Sequence, residues 1–261
     1  MRYLRLILAY FRVSALGEFA YRANFFFQLL QSLMELGTAC AGLTVVFSYT
    51  DTLGGWRPDE VLALVGIFFL VGGAIRVVIE PSMESLIESV HDGTLDFTLT
   101  KPEDAQFLAS IQRAEIWKLT DIGLGAGLLA LALVRLGTYI GVREVFAFIS
   151  ALLAGGVIVY SFWLILATLA FWFVRVGNIL VIFQSMYEAG RWPVNIYPRW
   201  LRFGLTFIVP VAFATTVPAR ALVGRMSLET LGASYALAGA LLVLSRIVWR
   251  AGLRHYSGAS A

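Results

Sequence analysis

The sequence predicts an all-α, polytopic integral membrane protein. It would have six transmembrane helices, an N-terminal amphipathic helix, an amphipathic cytoplasmic helix after the second span and outer re-entrant helices before the last span. Three observations carry this expectation. Of 261 residues, 59% are hydrophobic and only 14% charged, against about 25% charged in an ordinary globular domain. The shortage of charge runs along the whole chain, with a mean hydropathy of +0.79, so residues 1–261 read as a single transmembrane domain. Apolar runs of about 20 residues, enough to cross a bilayer, recur along it.

Residues 1–20 are amphipathic. Arg2, Arg5 and Arg12 fall near one face, and Leu4, Ile7, Leu8 and Phe11 recur at helical spacing on the other. A basic face opposite an apolar one suits a helix lying in the membrane interface. The rival, a signal peptide, fits less well, because Arg12 interrupts the apolar core and no small-x-small cleavage site follows. The first span is 23–49. The short loop DTLGGWRP follows, with Pro58 placed where a helix start tolerates it. The second span is 59–80. Pro81 then lets the chain bend, and 81–115 forms an inner loop. The third span is 116–136 and the fourth 145–173. Arg175 and Gly177 mark a turn before the fifth span, 178–189, and the last span is 228–249.

Residues 190–225 hold Pro193, Pro198, Pro210 and Pro218, four of the seven prolines. Proline breaks a helix interior at about 3 kcal/mol. Short helices that dip in and return are therefore expected, provided protein covers their free backbone groups. Basic residues flank the first and last spans, and basic flanks favour the cytoplasm. A re-entrant 190–225 gives six spans with both termini on one side, and a single crossing there gives seven; the basic flanks put both termini inside and favour the even count. That count puts Arg191, Arg199, Arg202, Arg220 and Arg225 outside, against the charge rule. Trp56, Trp117, Trp172, Trp192, Trp200 and Trp249 fall near expected span ends, where tryptophan meets headgroups.

Composition excludes several chemistries. A single cysteine, Cys40, rules out a disulfide framework and a cysteine-ligated metal, and the two histidines, His91 and His255, lie far apart. GLGAG at Gly123–Gly127 lacks the Lys-Ser/Thr of a phosphate-binding loop. Its G-x-x-x-G spacing reads as close helix packing. No nucleophile–base or paired-carboxylate constellation stands out, so the chain is not read as an enzyme. The basic excess borders apolar spans, which fits membrane lipid and not nucleic acid.

Charges inside spans are the informative residues, because they are costly in lipid and face a cavity or a partner. Glu35 lies near the middle of the first span. Arg76 lies toward the inner end of the second, four residues from Glu80 and able to pair with it. Asp121 is close enough to the interface to snorkel or cap. Glu188 closes the fifth span. Glu35, Arg76 and Glu188 are the translocation-path candidates, with a structural partner role as the rival reading.

The inner loop is the other distinctive region. From Glu80 to Asp121 nine acids face three bases, a net of −6, while the remainder carries +9. Glu80, Glu84, Glu88 and Asp92 repeat every fourth residue and repel one another by a few tenths of a kcal/mol per pair, about the size of an i,i+4 interaction. Met83, Leu86, Ile87 and Val90 form the opposite, apolar side. Gly93 ends the helix. TLDFTLTKP alternates apolar and polar residues and reads as extended, with a second short helix from Glu103 to Arg113. A self-repelling row opposite an apolar side implies two partners: the protein on one side and a basic surface on the other.

With these residues in hand, the chain resembles the permease subunit of an ABC-2-type ABC transporter, in the branch of about 260 residues often encoded as two permeases beside one ATPase. The amphipathic start, HDGTLDFTLTKP and GRWPVNIYPRWLRFGLTFIVPVAFATTVPARALVGR carry the likeness by their order. The resemblance implies that residues 1–20 are the elbow helix and 81–115 the cytoplasmic coupling loop with its coupling helix, and that Glu84, Glu88, Asp92, Gly93, Thr94, Leu95, Asp96, Lys101 and Pro102 couple to a separate ATPase. ATP and Mg would be bound by that partner, with no cofactor in this chain. It further implies a second permease, identical or homologous, and export across a bacterial cytoplasmic membrane. The outer gate would include Arg191, Pro193, Tyr197, Pro198, Pro210 and Pro218. An ion-coupled secondary transporter, which favours inverted repeats, or a membrane scaffold is the alternative; no internal repeat is visible.

Overall fold

The computed structural model describes residues 2–19, 22–137, 141–173 and 177–256. Among them every regular element is helical, apart from an isolated bridge between Leu53 and Trp56. Helix α1 (Arg2–Phe19) precedes α2 (Arg22–Tyr49). Helix α3 (Pro58–Ala74) passes through a π-helical turn (Ile75–Ile79) into α4 (Glu80–His91). The loop after α4 carries α5 (Asp96–Leu99) and α6 (Ala105–Ser110), and a 3-10 turn (Ile116–Lys118) opens α7 (Leu119–Leu136). Then come α8 (Val142–Thr168), α9 (Gly177–Tyr187), α10 (Arg199–Phe203), α11 (Val211–Ala214), α12 (Thr216–Leu222) and α13 (Leu228–Leu253). Arg175 lies outside the described residues.

Among the described residues, five helices are long and apolar enough to cross a membrane: Ala23–Tyr49, Pro58–His91, Ile116–Leu136, Val142–Phe171 and Leu228–Leu253. A sixth is reached only if Arg199–Ile208 and Val211–Leu222, bent by 69°, count as one span. This corrects the expectation for 178–189. Helix α9 has 11 residues and continues only through a 3-10 turn, Glu188–Arg191, so among the described residues it stays short of the roughly 20 residues that a span needs.

The second span also differs from expectation. It continues past Glu80 and Pro81 to His91, 34 residues in all. Pro81 has no N–H to give to the carbonyl of Val77. That carbonyl instead accepts from the Glu115 amide at 2.8 Å. The π turn immediately before Pro81 takes up the backbone irregularity. Helix α4 therefore projects as a direct continuation of α3.

Helix α3 sits at the centre of the bundle. In its most apolar window 72% of residues are buried, against 17% for α2 and for α13. A helix apolar on all sides belongs in the interior, and Leu64, Ile67, Phe68 and Phe69 are essentially inaccessible. Glycines set its distance from α7. A Cβ on Gly125 would lie 2.5 Å from the Leu70 amide nitrogen and 2.8 Å from the Gly66 carbonyl oxygen. Gly73 meets Ile122 in the same way. The expected pair, Gly123 and Gly127, has nothing within 4 Å. Close packing thus runs through the middle glycine of GLGAG.

The two ends of α3–α4 define the two ends of the bundle. At the α3 end, Asn195 donates to the Gly54 carbonyl at 2.6 Å and accepts from the Trp56 indole at 3.1 Å. Arg225 donates to the Gly55 carbonyl at 2.9 Å. Residues 195 and 225 therefore meet the same loop, and the proline-rich segment between them leaves and rejoins one end. Pro193, Pro198 and Pro210 each precede a short helix or turn, and Pro218 lies in the first turn of α12, positions that cost no intrahelical hydrogen bond. Thr216 Oγ1 accepts from the Val194 amide at 3.3 Å, and the Tyr197 hydroxyl donates to the Ala189 carbonyl at 3.0 Å. These bonds satisfy backbone groups that broken helices leave free.

Two further expectations are corrected. Trp56 and Trp249 are 3% and 2% exposed, so they pack inside the protein. Trp249 meets Phe171 edge-on at 5.9 Å. Residues 94–100 are not extended. After Gly93, at φ +71°, they turn back into α5, and the Leu95 amide donates to the Ser89 carbonyl at 3.1 Å. Leu95 and Thr98, three residues apart, are the buried pair; their helical spacing prevails over the alternation.

Candidate functional site

Two constellations carry the expected site residues. The first is a charged cluster where α2, the π turn, α7 and α9 meet. Arg76 reaches Asp121 at 3.1 Å and Glu35 at 3.6 Å. Asp121 also accepts a very short bond from Ser32, and Gln31 donates to Glu35 at 3.0 Å. Arg76 therefore binds acids from two other helices, while Glu80 accepts from Gln184 of α9. The expected Arg76–Glu80 pairing gives way to these cross-helix contacts. Asp121 neither snorkels nor caps: it is 1% exposed and buried as the counter-ion of Arg76.

The cluster opens into a cavity of about 320 Å³ lined by Gln31, Arg76, Glu80, Lys118, Gln184 and Glu188, with Ile75, Trp163 and Tyr187 as apolar walls. Gln31 is shared with a second hollow of about 380 Å³ that contains Glu35 and Arg191. The structure thus brings Glu35, Arg76 and Glu188 to two adjoining hollows. Glu188 pairs with Arg191 at 2.6 Å, and the Arg191 guanidinium lies 5.4 Å from the Phe68 ring centroid. Phe68 also stacks on Tyr187, whose hydroxyl donates to the Phe68 carbonyl at 3.0 Å. Ser32 and Gln184 escaped the sequence reading, because a neutral polar residue in an apolar run gives no sign of which neighbour it meets.

Of the outer gate candidates, Arg191 thus faces inward and Tyr197 ties to the 3-10 turn that follows α9. The arginines that broke the charge rule are largely spent on their own structure. Arg225 bridges to buried Glu60 at 2.8 Å, and Arg202 donates to the Asn195 and Tyr197 carbonyls at 2.5 and 3.3 Å.

The second constellation is the loop at the other end. Glu84, Glu88, Asp92, Thr94, Lys101 and Pro102 are exposed, and Gly93 and Asp96 are half-buried. Leu95 is 0% exposed, so its assignment to a partner surface is corrected: it is part of the core. Met83, Leu86 and Ile87 are buried against the protein as the amphipathic pattern requires. Phe97, 74% exposed, stands among the outward residues; reading 94–100 as extended hid it.

The loop is fastened on several sides. Arg246 of α13 donates from both terminal nitrogens to Asp104, at 3.0 and 2.5 Å, and to Gln106 at 2.8 Å. The Arg246 hydrogen bonds hold the Asp104 carboxyl below the ordinary aspartate range. The Tyr160 hydroxyl of α8 meets Ser110 at 2.8 Å. Lys101 donates to the Tyr10 hydroxyl of α1 at 3.0 Å.

The chain is thus an all-α, multi-pass membrane protein with a charged cluster in its apolar depth and a helical loop at one end. The model of the ABC-2 family transporter protein matches residues 33–260, and the chain belongs to that family. It is a membrane permease of an ABC transporter, and membership of that family implies association with an ABC ATPase partner. No curated protein and no solved structure matches the chain at a significant level.

Proposed function

We propose that this permease exports its substrate across a bacterial cytoplasmic membrane, with both termini cytoplasmic. It would work as a pair of permeases, identical or homologous, on two ATPase subunits that bind ATP and Mg. The carrying observation is the charged cluster that opens into the 320 Å³ cavity. Glu35 and Arg191 are only partly buried and line the hollow of about 380 Å³ beside α2. Such groups do not face lipid tails; a second permease covering α2 and α9 supplies the missing wall and leaves a polar path between the two. Export follows from family likeness.

Glu84, Glu88, Asp92 and Phe97 then face the ATPase, and the 34-residue α3–α4 unit carries their movement directly to Arg76 and Glu80. A coupling surface biases a two-state permease only through contacts that differ between the states. Residues 190–225, fastened to the 51–57 loop, form the outer gate.

The test is ATP-dependent transport by the reconstituted complex. Glu35→Gln and Glu35→Leu are expected to impair transport while co-purification with the ATPase stays normal; unchanged transport in both sinks the path assignment. Orientation is tested separately on a Cys40→Ala background. Phe97→Cys should label only from the cytoplasm and Asn195→Cys only from outside.

A further inference from the structure

Helix α1 is bound to the loop along one face. Tyr3 meets Phe107 edge-on at 4.9 Å, and Tyr10 accepts from Lys101. Ser14 accepts from the Ala114 amide at 3.2 Å. Glu18 accepts from the Ile116 and Trp117 amides at 2.7 and 3.1 Å, capping the start of the α7 unit. These residues follow a helical spacing and leave the opposite face outward. Arg5 and Arg12 lie on that face, both exposed. Seven residues is two turns, about 10.5 Å along the axis. Exposed Leu4, Leu8, Val13 and Leu16 flank them. The only acid in α1, Glu18, points the other way.

We infer that Arg5 and Arg12 form a binding site for anionic phospholipid headgroups, and that lipid bound there steadies the 101–118 segment through α1. Two exposed cations flanked by leucines complement the boundary between anionic headgroups and acyl chains. The exposed leucines enter the acyl layer while the guanidinium groups take phosphate oxygens. The internal face of α1 already grips Lys101, Ala114, Ile116 and Trp117, so fixing α1 restrains the segment that leads into α7. The consequence for ATP coupling rests on the reading of 84–102 as the ATPase face; the lipid site itself does not.

The experiment uses the full chain, without ATPase, in nanodiscs of phosphatidylcholine or of an equal mixture with phosphatidylglycerol. Amide exchange at Ala114, Ile116 and Trp117 is expected to be about fivefold slower in the mixture, since headgroup contacts stabilise α1 and suppress local opening. High salt should erase the difference, as it does for exposed charges. Arg5→Gln with Arg12→Gln should abolish it, and Arg5→Lys with Arg12→Lys should keep most of it. Equal exchange in both lipids for the wild-type chain overturns the inference, and so does a lipid effect that survives the double glutamine change. If that change instead weakens ATPase co-purification while lipid has no effect, α1 is a protein-docking face and the lipid site is refuted. Failure of ATPase coupling with an intact lipid effect would count against the coupling reading alone.

Discussion

Arg76 is the residue on which three helices converge. Its partner Asp121 is 1% exposed, so Arg76→Gln leaves a buried carboxylate without a counter-ion. Removing one member of such a pair costs about 3–5 kcal/mol. A clear fall in the thermal midpoint of the detergent-solubilised protein is expected, with Asp121→Asn recovering most of it in the double variant. Glu35 behaves differently. Its contact with Arg76 is longer, 3.6 Å, and its side chain is 32% exposed. Glu35→Gln should therefore cost under about 1 kcal/mol, separating a transport defect from a folding defect. Sequence alone marked Glu35 and Arg76, because charge in an apolar run is conspicuous. It misplaced Asp121, because distance from a helix end along the chain does not tell how deeply neighbouring helices bury that end.

At the scale of elements, the α3–α7 contact and the π turn carry the sharpest expectations. Gly125→Ala forces its new methyl into the α3 backbone and should destabilise by about 1–3 kcal/mol. Gly123→Ala and Gly127→Ala meet open space and should stay within about 0.5 kcal/mol of the parent; equal effects at all three positions would refute this account of the packing. Pro81→Ala restores an N–H that competes for the Val77 carbonyl, so the Glu115 amide should exchange about tenfold faster. The strap from Asp104 to Arg246 has a pH signature. The Asp104 carboxyl is lowered in the folded protein. Its contribution is therefore complete above the unfolded value, about 3.9, and is lost as pH falls through the lower folded value. Protection of amides 105–110 should persist at neutral pH and fall away only below about pH 4, while Asp104→Asn should lower it at every pH.

For the whole molecule, the loop and the charged cluster lie on one continuous helical unit. Reversing Glu84, Glu88 and Asp92 to lysine should loosen ATPase binding or uncouple hydrolysis from transport, with the permease still folded, since Glu84, Glu88 and Asp92 are exposed. Normal coupled activity in that triple variant would refute the docking role. The acidic row that weakens an isolated helix is tolerable here because Met83, Leu86 and Ile87 anchor its other side and α3 continues into it without a break.

What the sequence determined by itself was what the solvent dictates. Apolar length, the amphipathic start, the proline-rich segment and the end of α4 at Gly93 all follow from local chemistry. The long apolar helices Ala23–Tyr49, Ile116–Leu136 and Val142–Phe171 start and end within three residues of the expected spans. The tertiary structure decided whatever depends on a partner distant in the chain. The Glu115 amide takes the carbonyl that Pro81 leaves free, and Asp121 and Glu35 draw Arg76 away from Glu80. The close approach of α3 to α7 falls to Gly66 and Gly125 instead of the expected glycine pair, because which face of a helix meets its neighbour is set by the neighbour.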